Sequence, residues 1–476
     1  MSTPICDFVR RYVGGGAVRM HMPGHKGCGP LGFEALDITE IDGADDLFHP
    51  EGIIAQSEEN AGAIFGAHTL YATGGSTLCI QTMVHLLAVY ARSRGQRPLL
   101  LAGRNAHKAF VNAAALLDVP VRWLCPAAGE AYYSGAVTPE QLEWELARSR
   151  EPVTAVYLTC PDYLGELPDV AALATVCRRA GVLLAVDNAH GAYLKFLSPS
   201  RHPMDLGADL CCDSAHKTLP VVTGGAYLHI AHQAPELLHR QAKASMGLWG
   251  SSSPSYLILQ SLDAANELLA DYPEKLQALL PQLESLRRRL AARGWEVRPG
   301  EPLKVTLCPK GYGYTGSEVA AALESGGIYP EFYDTDHVVL MVSPQNDPAE
   351  LRRLEEVLAA LPRRQADGHK GTFGKVLVVG GAVGYTGAPY LTALAAVRSG
   401  CGLVFLGVPE RIWQVEASKC VCAMPFPLPD KHGKLRADAL EQIEEKLAGC
   451  QVLALGPGLG RSPGVTELVC ALLRRA

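Results

Sequence analysis

The sequence predicts an α/β protein whose large domain is built on a covered, mostly parallel sheet, and two observations predict it. Short apolar runs, PLLLAG at 98–103, VTAVYLTC at 153–160, VLLAVD at 182–187 and ADLCCD at 208–213, alternate with segments of helical periodicity such as 76–92 and 170–181. Chemically distinctive residues stand just beyond the runs: Asp187 closes VLLAVD and Lys217 follows ADLCCD. Sheets of this kind gather their ligands at the carboxyl ends of their strands.

The chain has 476 residues, enough for about three units of roughly 150 residues. Hydrophobic residues make up 48% and charged residues 19%, with a net charge of -6, which argues against a disordered chain and against a nucleic-acid coat. The opening MSTPICDFVRRYVGGG has no long apolar segment, and no run of about 18 apolar residues follows, so neither a signal peptide nor a membrane span is expected. The expected location is the cytoplasm. The 14 cysteines show no paired CxxC spacing and read as buried free thiols, with no metal site.

Four elements carry chemistry. In YATGGSTLCIQTMVHLL, a strand passes through Gly74, Gly75, Ser76 and Thr77 into a helix. Free amides at a helix start attract phosphate and the hydroxyls add donors, although an ordinary N-cap has the same signature. His107, in RNAHKAF after PLLLAG, is either a flat ring able to stack on a cofactor or a loop histidine, and Lys108 beside it is solvated. Asp187, in VDNAHG, is a carboxylate in a mostly buried setting, which needs a cationic partner such as a protonated pyridinium, or else caps the next helix. His190, three residues later, is structural or touches the cofactor. In DSAHKTLP, Lys217 offers an amine for an aldehyde, with Ser214 and His216 beside it. A lysine, a phosphate anchor and a carboxylate together suggest pyridoxal 5'-phosphate chemistry.

From about residue 275 the pattern changes to a long amphipathic helix ending near Gly294, then LKVTLC, a helix near 317–326, VVLMVS and a helix near 347–361. This predicts a smaller α/β domain. The polar PRRQADGHKG then precedes a fresh strand, KVLVVGG at 375–381, which places a boundary near residue 365.

HMPGHKG at 21–27, DITEIDGADDLFHPEG at 37–52, GGST, RNAHK, TCPDYLG, DNAHG, SAHKTLP and SSSPSYLILQSLD occur in one order. Together they resemble the ornithine/lysine/arginine decarboxylase family of fold-type-I pyridoxal phosphate enzymes over residues 1–362. The resemblance implies a pyridoxal phosphate-binding major domain at 1–274 and a small α/β domain at 275–362. It implies Lys217 as the Schiff-base lysine, Asp187 on the pyridine nitrogen and His107 stacked on the ring. Gly75, Ser76, Thr77, His190, Ser214 and His216 complete the cofactor site, and Ser252 and Ser253 belong to a loop that reaches a partner's cofactor in a homodimer or higher homo-oligomer. The substrate implied is a basic amino acid, whose distal cation needs an acid: Asp42, Asp45, Asp46, Glu166 and Glu331 are candidates. Two departures stand out: Ala109 replaces a serine common after HK, and the family's further C-terminal segment is replaced by unrelated sequence.

After a linker at 363–368, residues 369–476 do not carry the GxGxxG fingerprint; Gly381, Gly384 and Gly387 recur every third residue. HKGTFGKVLVVGG, RSGCGLV and LALGPGLG resemble instead the opening of the ADP- or ATP-dependent NAD(P)H-hydrate dehydratase family, of ribokinase-like fold. The later motifs of that family have no counterpart before Ala476, so a truncated domain is expected, with ADP or ATP and a hydrated nicotinamide nucleotide as ligands of the completed site. Three functions follow in order: a pyridoxal phosphate decarboxylase of polyamine biosynthesis, a nicotinamide-hydrate repair enzyme, and another reaction, transamination or aldol cleavage, on the first scaffold.

Overall fold

Apolar runs of the first 362 residues become strands of one sheet: β1 His68–Ala72, β2 Leu100–Gly103, β3 Val121–Leu124, β4 Ala155–Thr159, β5 Leu183–Asp187, β6 Leu210–Asp213 and β7 Ala226–Ile230. The computed structural model describes residues 2–126, 135–364, 368 and 370–474. Two units are separated in it, Met1–Pro362 and Arg363–Ala476. The expected linker lies partly outside the described residues, at 365–367, as does His369.

The strand order is β1-β7-β6-β5-β4-β2-β3. Strand β7 runs antiparallel to both neighbours, and the pairs from β6 to β3 are parallel. All five residues of β5 are buried, as a strand covered on both faces requires. Side-chain alternation divides the core. Ala155, Tyr157 and Ala185 join Leu78, Met83 and Leu87 of the helix Gly75–Ser93, whereas Val156, Leu158, Leu184 and Val186 join Leu173, Val176 and Cys177 of the helix Val170–Ala180. Asp169 caps that second helix by accepting the Ala172 N–H at 3.0 Å, and Gly181 ends it at φ 67°, in the left-handed region.

Within the same unit, β8 Glu296–Arg298, β9 Lys304–Cys308, β10 Phe332–Tyr333 and β11 Val338–Met341 form a second sheet, order β10-β11-β9-β8, with antiparallel pairs. The long helix Tyr272–Ala292 buries Leu276, Leu279, Leu283, Leu286 and Leu290, one seam of its surface. It begins before residue 275, so the change of pattern seen in the sequence falls inside a helix.

In Arg363–Ala476, β12 Lys375–Val379, β13 Leu403–Pro409 and β14 Met424–Leu428 precede a short hairpin, β15 Asp430–Lys431 and β16 Lys434–Leu435, and then β17 Val452–Leu455. The main sheet is parallel throughout, order β14-β13-β12-β17. No described helix in the chain is long and apolar enough to cross a membrane.

The cysteines correct one expectation. All 14 are free, but Cys28, Cys125, Cys422 and Cys470 are exposed. These four lie in loops or on the outer faces of helices, whereas the buried thiols Cys160, Cys177, Cys211 and Cys212 sit in or beside the covered strands.

Candidate active site

The ends of β2, β5 and β6 bring three of the predicted residues to one place. Asp187 is the last residue of β5, and the strand stops there because Asn188 to Gly191 form a turn closed by the Gly191 N–H on Asn188 O at 2.7 Å. Lys217 lies in the short helix Ala215–Thr218 that follows β6. Its Nζ is 2.7 Å from His190 Nε2. His107 follows β2 as the N-cap of the helix Lys108–Leu116, and its Nδ1 accepts the Ala109 N–H at 3.2 Å.

His107 and Asp187 share a support. Phe110, one turn into the His107 helix, stacks on Tyr157 with ring centroids 4.0 Å apart, and the Tyr157 hydroxyl donates to Asp187 Oδ2 at 3.3 Å. The other carboxylate oxygen accepts the Ala189 N–H at 3.1 Å. Burial pushes the Asp187 carboxyl up, against the Ala189 hydrogen bond and the nearby charges of His107 and Lys217. Burial likewise lowers Lys217 below the ordinary lysine value, with Asp187 and Glu331 opposing. His190 is held well below the ordinary histidine value by burial first and then by Lys304 and Lys217. His107 is exposed at the rim, yet the protein around its ring still lowers it.

The glycine turn sits beside this group. The Gly75 N–H donates to Gly224 O at 2.8 Å, so its amide is already used. Ser76 and Thr77 lie inside the first turn of the helix, where amides have no intrahelical acceptor. His216 Nδ1 donates to Gly225 O at 2.9 Å, and its ring edge comes within 4.0 Å of the place a Gly75 Cβ would occupy. Ser214 is buried before the Lys217 helix. Ser252 and Ser253 lie in an exposed turn, where Ser251 Oγ accepts the Ser253 N–H.

The acidic candidates separate clearly. Asp45 accepts the N–H groups of Glu51, Gly52 and Ile54, capping the helix Ile53–Phe65. Asp46 accepts from Phe48 N–H and pairs with His49, Asp42 is exposed, and Glu166 pairs with Arg298 at 3.1 Å. Glu331 accepts the Tyr163 hydroxyl at 3.1 Å and acts on Lys217 through its charge. Tyr163 in turn meets His190 edge-on, with centroids 5.1 Å apart. Sequence reasoning quoted Tyr163 within TCPDYLG without a role, and it missed Lys304. That lysine sits in an apolar strand pattern, yet its Nζ is buried, donates to Asp162 O at 2.8 Å and lies 5.9 Å from the Tyr163 ring centre.

Residues 3–310 match the family model of the Orn/Lys/Arg decarboxylase major domain, and residues 376–476 that of NAD(P)H-hydrate dehydratase. The chain is similar to the uncharacterized protein YaaO of Bacillus subtilis (strain 168), 28% identical over 364 residues, 72% of this chain and 74% of YaaO. An arginine decarboxylase of the same organism is 26% identical over 392 residues, 77% of this chain and 78% of the relative. The bifunctional NAD(P)H-hydrate repair enzyme Nnr of Moorella thermoacetica is 48% identical over 116 residues, 24% of this chain but 22% of Nnr. Among solved structures, the Francisella novicida lysine decarboxylase LdcF matches with a TM-score of 0.63 and 19% identity, covering 75% of this chain and 59% of LdcF. The fold is therefore that of the fold-type-I lysine decarboxylases, followed by a dehydratase-type region.

Proposed function

The chain belongs to the Orn/Lys/Arg decarboxylase family through residues 3–310, and from that membership we propose that it removes the α-carboxylate of a basic amino acid, lysine, arginine or ornithine, using pyridoxal 5'-phosphate. The observation that carries the proposal is Lys217 Nζ set 2.7 Å from His190 Nε2 beside the buried Asp187.

The residues present fit the cofactor. Asp187 is a desolvated carboxylate in want of a cation. Among the described residues His190 Nδ1 is buried with no hydrogen-bond partner, a position a polar ligand would satisfy. The amides and hydroxyls of Ser76 and Thr77, with Ser214 and His216, would hold the phosphate at a helix start. Pyridoxal phosphate supplies, when bound, an electron sink for the bond that breaks at the α-carbon.

The chain's own residues do the rest. Burial favours the uncharged Lys217 amine, the form that attacks an aldehyde. His190 Nε2 exchanges a proton with Lys217 Nζ across 2.7 Å. Asp187, held in place by the Tyr157 hydroxyl and the Ala189 N–H, would pair with the cofactor's protonated pyridine nitrogen, the cation that would keep this buried carboxyl ionised. Glu331, oriented by the Tyr163 hydroxyl, takes the distal ammonium or guanidinium. Lys217 and His190 then return a proton to the α-carbon. Ser252 and Ser253 would serve the site of a second copy, in a homodimer acting in the cytoplasm on a step toward polyamines.

Purified protein supplied with pyridoxal phosphate and each amino acid tests the reading. Carbon dioxide with a diamine or agmatine is the expected outcome; a keto acid product would overturn it in favour of transamination.

For Arg363–Ala476 a second reading rests on the 48% identity to Nnr: the glycine turns after β12 and β17 form part of a nucleotide site for ADP- or ATP-dependent dehydration of hydrated NAD(P)H. Incubation with hydrated NADH and ADP or ATP tests it, and no regeneration of NADH is the outcome against it.

A further inference from the structure

We propose that Asp213 is a positioning residue: through the side chain of Asn188 it clamps the fork at which β5 and β6 diverge toward Asp187 and Lys217. The inference rests on the reading of those two residues given above. The parallel ladder ends with Asp187 opposite Cys212, and the Asn188 N–H on Cys212 O, at 2.9 Å, follows it. Beyond that bond one chain turns through Ala189 to His190, and the other passes through Ser214 to Lys217. Across the gap, Asn188 Nδ2 donates to Asp213 Oδ1 at 2.6 Å.

Asp213 has no exposed surface, and a carboxylate so placed is stable only when its oxygens are bonded. Its Oδ2 accepts from Nε2 of His202 at 2.9 Å and of His229 at 3.1 Å, and both imidazoles are fully buried. The Met204 N–H donates to His202 Nδ1 at 3.3 Å, so the ring proton of His202 sits on Nε2 and points at Asp213. His229 Nδ1 lies 2.9 Å from Thr69 Oγ1, which fixes that ring from behind. The donor atoms of His202, Cys211 and Asp213 gather within 4.8 Å, a spacing that suits a metal, but the His202 lone pair a metal would take carries the proton. The cluster is a hydrogen-bonded anion: its Oδ1 takes a long contact from the Cys211 thiol at 3.9 Å, on its own strand, and the short bond from Asn188 is its tie to the turn after β5.

Asn188 is confined in its turn. A side chain at Gly191 would collide with Asn188 Oδ1 and come 2.7 Å from Pro161 Cδ, so the turn closes directly over the amide. A fork held this firmly matters because the two ends of the ring are to be gripped from two different strands. Misplacement by about 1 Å between such groups costs about a hundredfold in rate.

Asn188→Ala removes the clamp while leaving Asp213 its two imidazoles, and Asp213→Asn is the harsher variant. In the Asn188→Ala protein without cofactor, amide exchange in 188–191 and 214–218 is expected to speed up relative to wild type. With cofactor, the dissociation constant for pyridoxal phosphate should rise about tenfold, and the pH midpoint of the visible band of Lys217-linked cofactor should move. A double-mutant cycle with Asp213→Asn should be strongly non-additive, the double variant binding pyridoxal phosphate within about twofold of the weaker single variant. Additive losses, or an Asn188→Ala protein with wild-type affinity, band titration and exchange, would overturn the clamp. If Asp213→Asn does not fold, the Asn188→Ala measurements decide. A wild-type protein that binds no pyridoxal phosphate defeats the reading of Asp187 and Lys217 instead, and the exchange comparison still judges the clamp.

Discussion

Met1–Pro362 and Arg363–Ala476 both end their parallel strands in a polar rim, but they fill it differently. In the first unit the rim is made of side chains: Asp187, His190 and Lys217 are crowded together, and burial drives each toward its uncharged form. In the second, glycines and backbone occupy the corresponding place. A Cβ on Gly380 would collide with Pro457 O, and one on Gly458 would come 2.7 Å from Tyr385 O. Close backbone approach suits binding of a phosphate or nucleotide by amides, whereas desolvated acids and amines suit proton transfer and covalent capture. The difference teaches that one strand-end geometry serves two kinds of chemistry, and that the titratable groups tell them apart.

The sharpest way to break this contrast is Lys217→Ala. Decarboxylation should fall by about 10³-fold or more, and the visible band of bound cofactor should vanish; a retained band would remove Lys217 from the site. Core truncations come next. Leu286→Ala in the first unit and Leu468→Ala in the second, both fully buried, should each cost about 3 kcal/mol. In a calorimetric scan each should lower a different transition, and a shift of both transitions by either variant would show that the units unfold as one. Glu331→Gln should then lower kcat/KM for the preferred basic amino acid about tenfold, mostly through KM, with pyridoxal phosphate affinity unchanged; an unaltered KM would free Glu331 of the distal cation.

The smallest effect concerns pH. The reactive form of Lys217 is the amine, and burial lowers its pKa from 10.5. Capture of pyridoxal phosphate by the cofactor-free protein should therefore accelerate as pH rises and level off with a midpoint below 10.5. A midpoint at or above that value, measured by stopped-flow absorbance, would show that Lys217 is not desolvated.

The sequence was most legible where structure is local. A run such as VLLAVD must be covered on both faces, and it became the fully buried β5. The helix starts at Gly75 and Val170 were equally visible from glycines and periodicity, whereas the helix Lys108–Leu116 was not, its histidine reading as a loop residue. Among the candidate residues, Lys217, Asp187 and His190 drew notice because each stands close to a strand end. The Gly75 amide was harder, since its partner Gly224 lies on a distant turn. Tyr163 and Lys304 were hidden for the same reason: one looked like part of a loop motif and the other like a strand residue.

What the sequence by itself determined is the alternation of elements, the two-part composition of the chain and the residue types available at the strand ends, because periodicity, capping and turn chemistry act over a few residues. What only the tertiary structure decided is which distant groups meet. Of the five candidate acids it set Glu331 against Tyr163 and turned Asp45 into a helix cap, and it brought His202 and His229 onto a further acid, Asp213. Such contacts depend on strand order and on how far each loop returns, and burial then sets which charge each group can keep.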